Sequence, residues 1–344
     1  MYNSIRPGKP WKDTDGNLIQ AHGGSILYHN GTYYWYGENK EKNDATNKIW
    51  HYGVRCYSSK DLYNWKSEGI ILEPSEDLKS PLHPCRIMDR PHIVYNRFTK
   101  QFVMWVKFAG TEEDHRKWEV QYMGIAVSDD ITKPFKLVKT IRPLGMETGD
   151  FDLYVDPRDG KGYFIFDRVH TEIVIADLTS DYMDVTGYYS SHFPHEGPPT
   201  AREAPCFFKR RDKYYIITSG TTGYFPNRSE VAMAKLMHGP YTVFKNVCVN
   251  DTKKTSFDCQ FSSVFKHPER KDLYIAIGDR WYEKGVEING RLEPDTSEAG
   301  YVWLPIMFHD DVPYIVWRDE WRIEDFELCG EEKPKWLSEI VFEE

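Results

Sequence analysis

Several strand-like runs of this 344-residue chain open with charged or polar side chains that could do acid–base chemistry. Carboxylates predominate among these openings, which are His22 with Glu38, Asp89 with Arg90, Asp150 with Asp152, Arg202 with Glu203, and Asp258 with Gln260. A set of acids that converges in an aromatic-rich cleft, without the spacing of metal ligands, suits cleavage of a glycosidic bond. In that reaction one carboxylic acid protonates the leaving oxygen, and a second group handles water or stabilises the cation.

Glu203 is the strongest candidate for the acid. It stands in the run AREAPCFF, directly before Ala-Pro and an apolar segment. Because Pro205 has no N–H to donate to a strand ladder, we expect the strand to begin after it and to hold Glu203 at its mouth. The alternative is a solvated glutamate at the end of a strand.

A second acid is expected beside Glu203. Asp150 and Asp152 alternate with apolar residues in the run DFDLYV, which predicts that both carboxylates point to one face of a strand. A like-charged neighbour raises the pKa of a carboxyl group. Either aspartate, placed near Glu203, would therefore keep a general acid protonated near neutral pH.

The elements that must position these side chains recur five times. Each copy has a short apolar strand, a polar turn, an aromatic-rich strand and a third strand-like run, and the copies align on Tyr33, Phe102, Tyr163, Tyr214 and Tyr274. Self-similarity of this kind indicates a repeat architecture, and a repeated β-meander favours a propeller. We therefore predict an all-β fold, a five-bladed β-propeller that forms one domain over residues 1–344. The strand from Val312 is expected to close the ring with the other chain end, and the tail 331–344 to form a short helix or an edge strand.

Composition narrows the class of protein. Apolar content of 40% with 15% aromatic residues excludes a disordered chain. The net charge of −9 argues against nucleic acid as a partner, because phosphate binding needs a basic surface. No run reaches the ~18 apolar residues of a membrane span, so we expect no membrane partner. The first residues, MYNSIRPGKPWKDTDG, lack the apolar segment of a secretory signal, which predicts a cytoplasmic location. The six cysteines are scattered and form no CxxC pair, which predicts free thiols.

At these residues the chain resembles glycoside hydrolase family 43. The resemblance covers most of the chain and is carried by GTYYWYGE, DRPHIVYN, DFDLYVDPRDGKGYF and REAPCFFKRRDKYYIITSG in successive repeats. It implies a five-bladed propeller that hydrolyses glycosides with inversion. The family uses an aspartate base in blade one, an aspartate that tunes the acid in blade three, and a glutamate acid in blade four. Glu203 matches the acid, and Asp150 matches the tuning aspartate.

The chain departs from the family pattern at the base. Gly23 stands where the family usually has an aspartate. A branch that looks like the exo-β-1,3-galactanases shares IQAHGG, GTYYWYGE and REAP, and in that branch a glutamine of the last blade holds the water. Gln260 matches this glutamine, while Glu38 and Asp89 match acids that contact substrate. The resemblance therefore leaves Gln260 and Glu38 as the two candidates for holding the water.

Further substrate contacts are expected from a group of residues around these acids: Arg90, His22, Asp152, Thr221 and Trp281, the last as a stacking platform. Structural interpretations compete for three candidates, with His22 as a core or turn histidine, Gln260 as a strand-capping amide and Glu38 as an exposed strand end. The chemistry requires no metal. The resemblance allows a structural calcium ion in the central channel, as in several relatives, although the sequence has no aspartate-rich calcium loop.

These features predict an exo-acting, inverting glycosidase that removes terminal α-L-arabinofuranose from plant cell-wall oligosaccharides, because the two acids of GDFDLYVD fit the arabinofuranosidases of the family. An alternative keeps the mechanism and changes the sugar to terminal β-1,3-linked galactose. A hypothesis of another class is a carbohydrate-binding propeller that has lost catalysis. The missing blade-one aspartate supports that hypothesis, and the presence of Glu203 with Asp150 opposes it.

Overall fold

The computed structural model describes residues 1–114, 117–282, 284–288 and 290–329. Four of its five blades are four-stranded antiparallel sheets built from consecutive strands. Blade one has β1 (His22–His29), β2 (Thr32–Glu38), β3 (Val54–Ser59) and β4 (Lys66–Leu72); blade two has β5 (Ile87–Asn96), β6 (Gln101–Ala109), β7 (Gln121–Ser128) and β8 (Lys136–Ile141); blade three has β9 (Phe151–Val155), β10 (Gly162–Arg168), β11 (Glu172–Leu178) and β12 (Val185–His192).

The last two blades complete the fold. Blade four has β13 (Arg202–Arg210), β14 (Lys213–Gly220), β15 (Glu230–Ala234) and β16 (Thr242–Asn246), and blade five has β18 (Gln260–Lys266), β19 (Tyr274–Arg280), β22 (Gly300–His309) and β23 (Val312–Val316), with β17 (Cys248–Val249) at its outer edge. A separate hairpin joins β20 (Gly285–Ile288) to β21 (Arg291–Pro294). The helical segments among the described residues are short 3-10 turns at Pro143–Gly145, Thr296–Glu298 and Ile323–Asp325.

The first long strand of each blade lies on the inside of a ring. Strand β1 contacts β5, β5 contacts β9, β9 contacts β13, β13 contacts β18, and β18 returns to β1. This closed circle of inner strands confirms the five-bladed β-propeller that the repeat predicted. It also brings the first residues of the five repeats close to one axis, which is the convergence expected from the sequence.

The aromatic residues of the repeats pack mainly between blades. Trp35 and Trp65 of blade one share a buried cluster with Trp303 of blade five, and the ring centroids of Trp35 and Trp303 are 4.5 Å apart. Large rings remove much apolar area from water, at roughly 25 cal/mol per Å², and tilted contacts of this kind add to that gain. Packing between blades therefore fixes the inner strands on which the polar openings are mounted.

The ring closes differently from the prediction. Strand β23 pairs with β22 inside blade five, and β17, which follows blade four along the chain, pairs in parallel with β23. The two ends of the described chain meet instead at an antiparallel bridge between Ile5 and Trp321. The tail 331–344, for which a short helix or edge strand was expected, lies outside the described residues.

The cysteines agree with the prediction of free thiols. All six cysteines are free thiols, and Cys56, Cys206, Cys248 and Cys259 are buried in the sheets. Within the described part of the chain, no helix combines the length and the hydropathy that crossing a bilayer would require.

Candidate active site

A cavity of about 350 Å³ opens on the axis of the propeller and is lined by side chains from all five blades. Eight of the ten residues predicted for the site lie on its wall: Glu38, Asp89, Arg90, Asp150, Glu203, Thr221, Gln260 and Trp281. Lys107, Trp118, Gln121, His170, Pro198, Gly223 and Tyr224 complete the lining. Each of the five repeats therefore brings at least one polar opening residue to the wall, whereas His22 and Asp152, of the ten predicted residues, do not reach it.

β-Bulges interrupt four of the five inner strands close to their opening residues. The inner strands of blades one, two, four and five change register at His22/Ser25, Asp89/His92, Glu203/Cys206 and Phe261/Ser263. The residue after the opening side chain has a positive φ in three of them: 59° at Gly23, 53° at Arg90 and 48° at Ala204. A bulge bends the strand and re-aims a side chain. The same local device, repeated around the ring, thus turns several strand residues toward one point.

The expectation that the blade-four strand begins after Pro205 is wrong. Strand β13 already begins at Arg202, and Arg202 and Glu203 pair with Gly220 and Ser219 of β14. The proline sits in the bulge, where its missing N–H interrupts no ladder bond. Glu203 is therefore held by strand pairing on one side and by the bulge on the other.

Glu203 lies on the wall of the cavity and is only 8% exposed. Its Oε1 accepts a hydrogen bond of 3.0 Å from Nε2 of Gln260. Burial and the negative charges of Asp150 and Asp167 raise the pKa of Glu203 to about 8. The carboxyl group is therefore protonated at neutral pH, which is the state that a general acid needs.

Asp150 has the opposite character because two cations hold it. Nζ of Lys107 lies 2.7 Å from Oδ1, and a guanidinium nitrogen of Arg90 lies 3.0 Å from Oδ2. Burial would raise the pKa of Asp150, but the charges of Arg90 and Lys107 outweigh it and keep that pKa well below its usual range. The site therefore contains a permanently ionised carboxylate and a protonated carboxyl group, which is the arrangement that separates two acids by role.

Gln260 uses its whole hydrogen-bonding capacity inside the site. Its Oε1 accepts from Arg90 and, at 3.3 Å, from the indole N–H of Trp281. Its Nε2 donates to Glu203 and, at 2.9 Å, to the hydroxyl of Ser219. An amide has two acceptor and two donor positions, so all four are occupied. This network fixes the orientation of the amide, with its oxygen on the side away from Glu203.

Glu38 and Asp89 share a second group of buried charges. Lys40 pairs with Oε2 of Glu38 at 2.8 Å and lies 3.6 Å from Asp89. Burial raises the pKa of Glu38 to about 7 against the opposing charge of Lys40. For Asp89 the balance reverses, because Lys107 and Lys40 outweigh the effect of burial and lower its pKa, and Trp50 adds a hydrogen bond of 2.6 Å to Oδ1.

Glycine at position 23 is required by this arrangement. A β-carbon there would collide with Oε1 of Glu38, and the φ of 59° also disfavours a side chain. The main-chain N–H of Arg90 donates to the same oxygen at 2.9 Å. The position where the related family usually has an aspartate is therefore filled from β2, by the carboxylate of Glu38.

His22 and Asp152 lie behind the wall of the cavity rather than on it. His22 is buried, with Nδ1 3.2 Å from Asp279, and its ring stacks on Tyr301 and lies 5.6 Å from Trp281. Asp152 accepts the main-chain N–H of Phe207 at 2.8 Å and pairs with His92 at 3.2 Å. Both residues therefore tie neighbouring elements together, and their placement does not support the predicted contact with substrate.

The prediction that Asp152 faces the cavity beside Asp150 is wrong for a simple reason. Strand β9 begins at Phe151, so Asp150 stands before the strand, where its carbonyl accepts the N–H of Asp167 at 2.9 Å. Alternation applies only between residues inside one strand. The prediction that Asp150 and Asp152 share a face therefore does not hold.

Several residues of the wall were missed in the sequence, among them Lys107, Trp118 and His170, and of these three Lys107 left the clearest signal. Lys107 is a lysine inside the apolar run FVMWVKFA and pairs in register with Asp89, so its burial implied an acidic partner. Trp118, which is 41% exposed, comes from the loop before β7 and lies 5.3 Å from Trp50. His170 sits in the turn between β10 and β11, where no pattern pointed to the cavity.

Three side chains of the site have atoms that could act as ligands of a metal ion. Within the described residues, Asp167, His170 and Glu203 offer three ligand atoms that lie within 4.8 Å of one another. Calcium takes six to eight oxygen ligands, roughly twice this number, and Nδ1 of His170 is already bonded to Asp167 at 3.0 Å. These residues do not fit the calcium ion that the sequence resemblance allows, and we derive no step through a metal.

The sequence and the fold both have relatives. The model of the glycosyl hydrolases family 43 matches residues 18–291. No curated protein gives a significant match.

Three solved structures illustrate the likeness in fold. A GH43 β-1,3-galactosidase has a TM-score of 0.83 and 34% identity over 94% of the present chain, which spans 65% of that longer protein. A second GH43 β-1,3-galactosidase, solved with galactodeoxynojirimycin, has a TM-score of 0.80 and 32% identity over 92% of this chain and 100% of its own. The exo-β-1,3-galactanase of Phanerochaete chrysosporium, solved with β-1,3-galactotriose, has a TM-score of 0.80 and 26% identity over 94% and 68% of the two chains.

Proposed function

The chain belongs to glycosyl hydrolase family 43, and we propose that it removes terminal galactose from β-1,3-linked galacto-oligosaccharides with inversion. The observation that carries the proposal is the cavity that joins a protonated Glu203 to an ionised Asp150. Its volume of about 350 Å³ lies near the lower end of the roughly 300–1,000 Å³ of ligand sites, which suits a chain end rather than a long stretch of polymer. The β-1,3-galactosidases and the exo-β-1,3-galactanase described above support the choice of sugar.

Bond cleavage follows from the protonation states of the site. Glu203 donates its proton to the glycosidic oxygen while the bond from that oxygen to the anomeric carbon breaks. Asp150 keeps its negative charge throughout, so it holds the proton on Glu203 until the leaving oxygen accepts it. Arg90 and Lys107 keep Asp150 ionised and in place, which makes them positioning residues for the acid.

Gln260 is the group to which we assign the attacking water. Its oxygen faces away from Glu203, and the long bond of 3.3 Å from Trp281 is the weakest of its four interactions. Inversion needs attack on the face of the sugar opposite the acid, and we assign that attack to a water in this place. Asp89, ionised and held by Trp50 and Lys107, offers a strong acceptor for a sugar hydroxyl.

The proposal places galactose ahead of the arabinofuranose that the sequence first favoured. That preference rested on the two acids of GDFDLYVD, and Asp152 lies behind the wall, bonded to Phe207 and His92. One acid of the pair is therefore available to a substrate. A binding protein without catalysis is disfavoured by the raised pKa of Glu203, because recognition of a sugar does not need a carboxyl group that stays protonated at neutral pH.

Hydrolysis assays on matched substrates test this proposal. We expect turnover of β-1,3-galactobiose and of 4-nitrophenyl β-D-galactopyranoside, and NMR of the first product should show α-galactose because the configuration inverts. Faster cleavage of 4-nitrophenyl α-L-arabinofuranoside would move the assignment to arabinofuranose. Calorimetric binding of galactobiose without cleavage of any of these compounds would instead indicate a binding protein.

Replacement of Asp150 by asparagine should change the pH dependence of the reaction. In the wild type, kcat/KM should fall as pH rises through about 8, because Glu203 then loses its proton. The negative charge of Asp150 raises that pKa, so its removal should move the alkaline limb to lower pH, by at least roughly one unit. Initial rates on galactobiose between pH 4 and pH 10 measure the limb, and a limb that stays in place or moves upward would contradict the assigned role.

A further inference from the structure

Blade three places a buried carboxylate, Asp167, and a histidine, His170, next to Glu203 of blade four. Asp167, at the end of β10, is 0% exposed, and its Oδ2 lies 3.0 Å from Nδ1 of His170. One ring nitrogen of His170, one oxygen of Asp167 and one oxygen of Glu203 all lie within 4.8 Å of one another. A gap of this size is bridged by one water molecule.

The backbone of blade three is built to hold this pair. The N–H of Gly149 donates to the carbonyl of Asp167 at 2.7 Å, and the N–H of Asp167 donates to the carbonyl of Asp150 at 2.9 Å. A β-carbon at Gly149 would collide with Oδ2 of Asp167. The carboxylate of Asp167 is thus held beside the segment that carries Asp150, and its bond to Nδ1 fixes the orientation of the His170 ring.

The other groups that face Glu203 cannot supply it with protons. Arg90 and Asp150 hold each other in the charged state, and the amide of Gln260 and the hydroxyl of Ser219 do not titrate in this range. Asp167 has no exposed surface through which to exchange with solvent. Glu38, which also has a raised pKa, is bonded to Arg90 and Lys40 on blade one instead.

His170 differs from all of these groups. Its side chain is 27% exposed and it lines the cavity, so it contacts solvent as well as the site. Burial lowers its pKa, but the bond to Asp167 and the charges of Asp167 and Glu203 more than compensate, so the pKa lies above its usual value. A histidine in this condition both takes up and releases protons near neutral pH.

The rate of proton supply shows why such a group matters. An acid with a pKa of about 8 works in a range where hydronium is scarce. At pH 8, hydronium at about 10⁻⁸ M and a diffusional ceiling of about 10⁹ M⁻¹ s⁻¹ would deliver about 10 protons per second, close to a median kcat of about 10 s⁻¹. A buried acid that depended on hydronium alone would therefore limit turnover.

We propose that His170, oriented by Asp167, returns a proton to Glu203 after each turnover. The inference rests on the proposed role of Glu203 as the general acid. After cleavage Glu203 is a carboxylate and the leaving sugar carries its former proton. Protonated His170 then gives a proton to Glu203 through one bridging water, and neutral His170 takes up one proton from solvent. That uptake equals the proton that the attacking water releases, so the cycle is balanced.

The test compares His170→Gln with the wild type on two galactosides. On β-1,3-galactobiose at pH 8 in dilute buffer, kcat should fall by roughly tenfold, less than the 10²–10⁴-fold of a lost general acid, because solvent still protonates Glu203 slowly. Added imidazole should restore kcat, kcat/KM should stay unchanged because the return of the proton follows cleavage, and the defect in kcat should shrink at pH 6, where hydronium is more abundant. On 2,4-dinitrophenyl β-galactoside, which leaves without a proton, the rate should match the wild type.

Controls separate this proposal from its alternatives. His309→Gln removes an exposed histidine of β22 and should behave as the wild type. Asp167→Asn should show a weaker form of the same defect. If calorimetry shows that this variant does not fold, the test rests on His170→Gln alone. An equal loss on both galactosides, a change confined to KM, or insensitivity to imidazole would overturn the proposal. If the wild type cleaves another glycoside instead, the proposed sugar is wrong, and the same comparison is made on that glycoside.

Discussion

Replacement of Glu203 by glutamine should nearly abolish cleavage of β-1,3-galactobiose and spare cleavage of 2,4-dinitrophenyl β-galactoside. The sugar alcohol is a poor leaving group that needs a proton as the bond breaks, whereas dinitrophenolate leaves as a stable anion. Loss of a positioned acid lowers a rate by about 10²–10⁴-fold. The glutamine keeps the shape of the side chain, and its carbonyl oxygen can still accept the bond from Gln260, so the fold should be preserved.

Steady-state kinetics on the two substrates, with thermal unfolding of each variant, measure this expectation. Glu269→Gln, an exposed glutamate in a surface turn of blade five, is the matched control for loss of a carboxylate and should retain full activity. The assignment of Glu203 would not survive wild-type turnover of galactobiose by the glutamine variant. It would also fail if both substrates lost rate to the same extent, because that pattern indicates disturbed binding rather than a missing proton.

The fold was predictable from the sequence because its signals are local and repeated. Each blade contains an aromatic-rich strand such as TYYWYGE or KYYIITSG, and the meander can be recognised without any knowledge of long-range contacts. The ring closure was not predictable in this way. The bridge between Ile5 and Trp321 joins the two ends of the described chain and leaves no periodic pattern.

The candidate site was likewise predictable only in part. Glu203, Asp150 and Gln260 open their repeats, so the propeller geometry brought them to the axis. The bulges that follow Asp89 and Glu203 were hidden, because the positive φ angles at Arg90 and Ala204 occur at residues that carry no glycine signal. His170 was missed because a turn residue reveals neither its direction nor its partner, and Asp167 looked like an ordinary strand end.

The sequence left the water-holding group open between Glu38 and Gln260, and the contacts support the proposal of Gln260. Both oxygens of Glu38 are engaged by strong partners, since Oε1 accepts from Arg90 at 2.9 Å and Oε2 pairs with Lys40 at 2.8 Å. Gln260 has one bond, from Trp281 at 3.3 Å, that a water could replace at little loss. A neutral amide is a weak base, so its main contribution would be to fix the position of the water.

Gln260→Leu should therefore lower kcat on galactobiose and on the dinitrophenyl galactoside alike, by about 10²-fold or more. Attack by water is needed whatever group leaves, which separates this variant from Glu203→Gln, whose defect depends on the leaving group. Glu38→Gln is the matched comparison, and we expect its loss mainly in KM because the side chain lies on the cavity wall with Asp89.

The opposite result would assign the attacking water to Glu38 instead of Gln260. If Glu38→Gln lost kcat on both galactosides while Gln260→Leu changed only KM, Glu38 would be the base, and burial, which raises its pKa to about 7, would then place the acidic limb of the pH profile near that value. A base must be ionised, so kcat would fall as pH drops below that point. Under the present assignment Glu38 need not be ionised for attack, and the wild type should keep its kcat on the activated galactoside below pH 7.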